Sequence, residues 1–145
     1  MSSLRLRDRT VDVQAGRPLI MGIVNAGDDS FSDAVRLDTL ERQVERGLEL
    51  VAEGADLVDV GAESGVTYTP VAAPDDEASR VVPLVERLAS EGVSVSVDTW
   101  KPEVARAVLD AGAHIINDGG WWTNRLDGRY LATPVCTLAH TTRRG

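Results

Sequence analysis

Five polar residues in this sequence each follow a short apolar run, and they are the first candidates for a functional site. They are Asn25, Asp59, Asp98, Asn117 and His140. Carboxylates and amides can bind the polar edge of a small molecule, and a charged acceptor makes the stronger hydrogen bonds. In parallel α/β folds, ligands bind at the carboxyl ends of the strands. We therefore predict that these residues lie along one ligand-binding edge of a sheet.

The segments between these residues alternate between strand and helix patterns. Helices are predicted where apolar residues recur at spacings of three and four, over 37–53, 75–90 and 101–111. Strands are predicted over 17–26, 56–62, 93–99, 114–118 and 133–140. This alternation is typical of parallel βαβ units. No G-x-G-x-x-G follows the first strand and the sequence has no P-loop, which favours a barrel over a dinucleotide-binding fold.

Glycine and proline mark where the helices begin and end. Each predicted helix is followed by a glycine where a helix C-cap needs positive φ, at Gly54, Gly92 and Gly112. Pro83 lies inside the second helical pattern and is expected to begin a fresh helix, because a first-turn residue needs no N–H partner.

The first helix is predicted to face the core with one apolar stripe. Its members are Leu40, Val44, Leu48 and Val51. Residues 1–17 are expected to form a lead-in, with a short hairpin that plugs one end of the barrel, and 67–76 a long loop.

Composition bounds the class of protein. The 145 residues suit one domain, predicted as 1–145, with the lead-in over 1–17 and the βα units over 18–140. A net charge of −8 argues against nucleic acid and anionic membranes as partners. The single Cys136 excludes an internal disulfide and suits a reducing compartment, and no signal peptide or long apolar run is present. We therefore expect a cytoplasmic protein.

Four segments carry a resemblance to a known family. They are MGIVNAGDDSFSD at 21–33, DVGAES at 59–64, SVDTWKPEVA at 96–105 and GAHIIND at 112–118. In this order they resemble motifs of the dihydropteroate synthases, and the sequence also resembles divergent actinobacterial paralogues of that family. The resemblance implies a parallel (β/α)₈ TIM barrel, of which this chain holds about the first five strands. It also implies a transferase that displaces pyrophosphate from a hydroxymethyl-dihydropterin diphosphate with the amine of p-aminobenzoate, in folate biosynthesis.

The resemblance assigns roles to four of the polar residues. Asp59, Asp98 and Asn117 match the residues that bind the pterin ring, and Asn25 matches the asparagine linked to Mg²⁺ and the diphosphate. Mg²⁺ is therefore the implied cofactor, and no catalytic residue is assigned. From the residues alone, Asp98 could instead cap the helix that begins near Lys101, and Asn25 and Asn117 could be turn residues.

The sequence departs from the family pattern in two loops and in length. Gly27-Asp28 replaces Thr-Pro, and 65–68 replaces the Thr-Arg-Pro-Gly that follows Glu-Ser in the family. In the family both loops help to form the p-aminobenzoate site, so the resemblance implies that this acceptor is used poorly. A full barrel takes about 250 residues. The family's later aspartate, lysine and arginine-x-histidine pair have no counterpart in the sequence.

Two function classes remain open from the sequence. One is a synthase-type transferase, active once a completing C-terminal half is present. The other is a non-catalytic pterin-binding or regulatory paralogue, or one half of a split enzyme. In both, the ligand is a small pterin, and a homo-oligomer or a completing half is the expected protein partner.

Overall fold

The computed structural model of the protein describes residues 2–27, 39–62 and 72–117. The strands in these ranges are β1 Ser2–Arg5, β2 Thr10–Val13, β3 Met21–Asn25, β4 Leu57–Gly61, β5 Val95–Asp98 and β6 Ile115–Asn117. The helices are α1 Leu40–Ala52, α2 Pro74–Ser90 and α3 Pro102–Asp110. The predicted fifth strand over 133–140 lies outside the described residues.

Four strands form one parallel sheet in sequence order, β3-β4-β5-β6, with one helix between each pair. Because each crossover leads to the adjacent strand, the sheet winds in one direction, as in a (β/α)₈ barrel. The predicted class, α/β with a parallel sheet covering part of a barrel, is confirmed.

The two faces of this sheet carry different side chains. Val24, Val58, Val60, Val95 and Val97 are buried in a core shared with the helices. The alternate positions face the other way, toward what is the interior in a barrel, and they include Asp59 and Ser96. The strict period of two in VSVSV therefore places valines against helices and serines inside.

The N-terminal hairpin covers the amino ends of the strands. β1 and β2 pair antiparallel, and Leu6 is buried with Leu57 and Ile115. Close by, His114 Nδ1 accepts a hydrogen bond from Val95 N at 3.1 Å, while its Nε2 lies 3.1 Å from Asp8 Oδ1. The structure thus has a hairpin within residues 1–17, packed at the amino ends of β4 and β6.

The helix C-termini share one cap, in which Gly54, Gly92 and Gly112 have φ of 112°, 81° and 113°. The N–H of the following residue reaches back five positions, as in Ala55 N to Leu50 O at 2.9 Å. This is the Schellman pattern predicted by the glycines. It turns each chain segment directly from helix into the next strand.

The second helix differs from the prediction at both of its proline positions. α2 is continuous through Pro83, which therefore does not begin a fresh helix. Pro83 has no N–H to donate to the preceding turn, but Val81, Leu84 and Val85 around it are fully buried and hold the helix to the sheet. The helix begins at Pro74, inside the range 67–76 that was predicted as a loop.

The apolar stripe of α1 was predicted incorrectly in two of its four positions. Val44 is buried and Leu40 packs on the core, but Leu48 and Val51 are 36% and 38% exposed. The buried position at this level of the helix is Gly47, where an added Cβ would lie 2.7 Å from Leu88 Cδ2. At this position the side chain of Leu88 from α2 occupies the space, and α1 contributes only a glycine. A search for large apolar residues therefore does not find it.

Candidate functional site

The carboxyl ends of the four parallel strands align in one row. Asn25, Gly61, Asp98 and Asn117 are register partners across β3, β4, β5 and β6. Register partners in a parallel sheet point to the same face, so three polar side chains and one glycine share this edge. The sequence predicted that these polar residues would lie together, and the register brings them together.

Asp59 lies one step deeper on the same face, two residues before Gly61 on β4. Its register partner Ser96 donates a hydrogen bond from Oγ to Asp59 Oδ1 at 2.6 Å. Asn117 Nδ2 lies 3.5 Å from Asp59 Oδ1 and 3.4 Å from Asp59 Oδ2. Asp59 therefore links β4 to both β5 and β6. The sequence predicts that Asn117 and Asp59 share one edge, but it does not single out Ser96.

Burial makes the charged form of Asp59 unfavourable. The residue is 4% exposed, and burial raises the pKa of its carboxyl above the usual range, although the hydrogen bonds from Ser96 and Asn117 oppose the rise. A carboxylate has about four acceptor sites, and these two neighbours supply two donors. Such a group can accept hydrogen bonds from ring N–H donors of a ligand with more strength than a solvated carboxylate.

Asp98 does not serve as the cap of the next helix. α3 begins at Pro102 with Lys101 in the N-cap position, and Lys101 N donates to Thr99 Oγ1 at 3.2 Å. Asp98 is exposed at the end of β5, beside Gly61 and Asn117 in the row. The capping alternative raised by the sequence is therefore wrong, and the carboxylate is positioned at the edge itself.

Asn25 supplies an amide at the β3 end of the row. Its Oδ1 and the Asp98 Cβ each lie 3.8 Å from the point where a Cβ on Gly61 would stand. In the described ranges, no group of three or more His, Cys, Asp or Glu residues could hold a metal. Mg²⁺, however, commonly uses one or two protein oxygens together with substrate phosphates and water. The amide oxygen of Asn25 fits that limited requirement as one such protein oxygen.

A buried ion pair beside the edge was not identified from the sequence. Lys101 Nζ contacts Glu77 Oε2 at 2.5 Å and Ala72 O at 2.7 Å, and both charged side chains are almost fully buried. The pair ties the start of α3 to the start of α2. Its only sequence signal is that both residues lie near helix N-termini, which does not distinguish them from surface charges.

Several predicted features lie outside the described residues. They are Asp28, the loop at 65–68, and His140 and Cys136. Among the residues that are described, no helix is both long and apolar enough to cross a membrane.

Comparison with known proteins agrees with this geometry. The fold is that of part of an α/β barrel, with a row of polar side chains at the carboxyl ends of its strands. The family described as pterin binding enzyme matches residues 21–129, and the chain belongs to that family.

The similar proteins are dihydropteroate synthases. The one from Mycobacterium leprae is 46% identical over 99 residues, which are 68% of this chain and 35% of that protein. A structure of the Xanthomonas albilineans synthase with 4-aminobenzoic acid aligns with a TM-score of 0.70 and 44% identity, over 80% of this chain and 43% of that one. A structure of the Burkholderia cenocepacia synthase complexed with 7,8-dihydropteroate gives a TM-score of 0.66 and 39% identity, over 81% and 38%. The chain thus spans about 35–43% of the length of these relatives and is a partial, divergent member of the family.

Proposed function

We propose that this chain provides the pterin site of a dihydropteroate synthase-type transferase. The observation that carries the proposal is the buried carboxylate of Asp59, held by Ser96 and Asn117 just below the polar row. A dihydropterin diphosphate is the proposed substrate, because its ring edge carries adjacent N–H and NH₂ donors. The similarity to synthases that bind 7,8-dihydropteroate and 4-aminobenzoic acid supports the same class of ligand.

In this proposal, residues at different strand ends bind different parts of the substrate. Asp59 and Asp98 accept hydrogen bonds from the pterin donors, and the amide of Asn117 both donates and accepts on the same ring. Asn25 faces the diphosphate and would hold Mg²⁺ together with the phosphate oxygens. The bound cation would neutralise charge on the leaving pyrophosphate.

The proposed reaction is a substitution at the methylene carbon of the pterin. The C–O bond to the diphosphate breaks, a C–N bond forms to an amine, pyrophosphate leaves and the amine loses a proton. The residues of this chain contribute by fixing the ring, so that the methylene carbon meets the acceptor in one orientation. We place this activity in the cytoplasm, in keeping with the single Cys136, which suits a reducing compartment.

A second candidate is a non-catalytic pterin-binding paralogue, or one half of a split enzyme. The observation that favours it is coverage, because the chain spans 35% of the Mycobacterium leprae synthase. In that case the ring binds at the same edge, while the remaining groups come from a completing half or from a second copy of the chain.

A pyrophosphate-release assay separates the two candidates. The protein is incubated with a hydroxymethyl-dihydropterin diphosphate, Mg²⁺ and an amine, and a chain carrying Asp59→Asn is the matched control. Release that depends on the amine and is lost in the variant supports the transferase. Pterin binding without any release supports the second candidate, in which the chain is a non-catalytic paralogue or one half of a split enzyme. Release that Asp59→Asn leaves unchanged contradicts the proposed site.

The acceptor is predicted to differ from that of an ordinary synthase. The chain has Gly27-Asp28 and the sequence GVTY at 65–68 where the resemblance implies Thr-Pro and Thr-Arg-Pro-Gly. Without the arginine, a carboxylated acceptor loses a cationic partner, and Asp28 adds repulsion. We expect p-aminobenzoate to support slower turnover than an uncharged arylamine in the same assay. Faster turnover with p-aminobenzoate would show that the carboxylate finds another partner.

A further inference from the structure

For most glycines in the described part of the chain, the fold itself explains why no larger residue is present. One group has positive φ, which other residues rarely adopt: Gly16, Gly54, Gly92 and Gly112. In the other group an added Cβ would stand less than 3.0 Å from a neighbouring atom: Gly22, Gly27 and Gly47.

Gly61 is the one glycine of residues 2–27, 39–62 and 72–117 that neither reason explains. It lies in the extended strand β4, where its φ is not positive. A Cβ built there would meet Asn25 Oδ1 and Asp98 Cβ at 3.8 Å, which is ordinary van der Waals contact. The fold therefore has room for alanine. Gly61 is the last residue of β4, and glycine is commonly used where the backbone approaches a ligand closely.

The position of Gly61 indicates what approaches. In the register row its neighbours on either side are Asn25 and Asp98, so the missing side chain leaves a notch between two polar groups. Asp59 lies two residues earlier on the same face, directly below this notch. A ligand that reaches Asp59 from the carboxyl edge must pass over the backbone of Gly61.

We propose that Gly61 determines ligand shape at this site, by leaving an opening through which a flat heterocycle lies against the β4 backbone with its donor edge on Asp59. This inference rests on the proposed pterin-binding function and adds a residue to it. A thin, planar ring fits the space of one missing side chain, whereas a methyl group at position 61 occupies that space and holds the ring away from Asp59.

The test compares Gly61→Ala with wild type and with Gly22→Ala in the full chain. Gly22→Ala is the control for a glycine that the fold itself requires, because its Cβ would lie 2.9 Å from Leu50 Cδ1. Thermal unfolding and titration calorimetry with a dihydropterin are measured for all three. We expect Gly61→Ala to keep or raise the unfolding midpoint and to weaken pterin binding at least tenfold. Gly22→Ala is expected to lower the midpoint.

Three results would overturn the inference, and they are distinguishable. A clearly lowered midpoint in Gly61→Ala means that the protein itself requires the glycine. Wild-type affinity in Gly61→Ala, with wild type binding, refutes the opening but leaves the pterin site intact. Failure of wild type to bind the dihydropterin refutes the proposed function, and the inference falls with it.

Discussion

At the residue scale, burial of the Asp59 carboxyl destabilises the fold, while the same carboxyl is the proposed acceptor for a ligand. Its carboxyl is buried and its pKa is raised, first by desolvation. The folded state therefore binds a proton more readily than the unfolded chain, whose Asp titrates near 3.9. Stability from this group is lost as the pH rises from that value through the folded pKa, because the charged form has to be buried. Natural sequences retain such groups where a ligand needs them.

The first prediction follows from this cost. Asp59→Asn removes the buried charge and keeps the shape, so we expect a higher free energy of unfolding at pH 7 and a smaller difference near pH 4. Urea unfolding of both proteins at the two pH values measures this. Asp110→Asn, at an exposed helix end, is the control and should change little. A variant that is less stable than wild type at pH 7 would contradict the account.

Sequence reasoning identified most residues of this edge, and the reason is periodicity. Parallel strands end together, so polar residues that follow apolar runs were predicted to meet at Asn25, Asp98 and Asn117, as they do. Contacts between distant residues were not predictable. Ser96 binds Asp59 across 37 positions, and Lys101 pairs with Glu77 across 24, and neither choice of partner leaves a local pattern.

At the element scale, α1 packs on α2 through a glycine. The stripe predicted from large apolar residues included Leu48 and missed Gly47, which accommodates the side chain of Leu88. The element type follows from the 3.6-residue period, but the exact rotation of the helix follows from which positions are small. How closely two helices approach depends on the residues of both helices, so one helix pattern alone does not predict it.

The second prediction tests this contact. Gly47→Ala gains up to about 1 kcal/mol of helix propensity but overpacks a core contact, which typically costs about 1–3 kcal/mol. We expect a net loss of stability, measured by chemical unfolding. Combining it with Leu88→Ala should cost less than the sum of the two single changes, because the cavity admits the added methyl. Additive effects, or a stabilised single variant, would refute the close approach.

The third prediction concerns the hairpin end of the sheet. Burial lowers the pKa of His114, whereas Asp8 raises it and Arg9 and Arg7 lower it. The unfolded chain therefore binds a proton more readily, so His114 contributes stability above pH 6.5 that is lost as the pH falls below it. The slope is at most about 1.4 kcal/mol per pH unit for one proton.

Unfolding free energies between pH 7.5 and 5.5 measure this loss. We expect His114→Gln to be less stable than wild type at pH 7.5 and the difference to shrink toward pH 5.5. A constant difference over this range would show that His114 does not titrate differently in the two states.

At the scale of the whole molecule, the sheet has an exposed side. In the described ranges β3 pairs with β4 alone, and Ile23 on its barrel face is 58% exposed. An unpaired strand edge beside exposed apolar residues is a site for association. We propose that a second copy of the chain, or a completing half, covers it.

The fourth prediction is therefore that the purified chain is not a stable monomer. Sedimentation at micromolar concentration should give a dimer or larger species, and Ile23→Glu should shift it toward monomer. Leu48→Glu, on the outer helix α1, is the matched control and should have less effect. A strictly monomeric chain that unfolds cooperatively would contradict this proposal.

The central claim is that the row of strand ends binds a pterin, and direct titration tests it. We expect calorimetry of the wild-type chain with a dihydropterin to give saturable binding. Asp98→Asn should weaken it roughly ten- to hundredfold, because a charged hydrogen bond contributes about 1.5–3 kcal/mol. Asp110→Asn should bind as wild type does. Equal affinities of wild type and Asp98→Asn, or no binding by any of the three, would contradict the account.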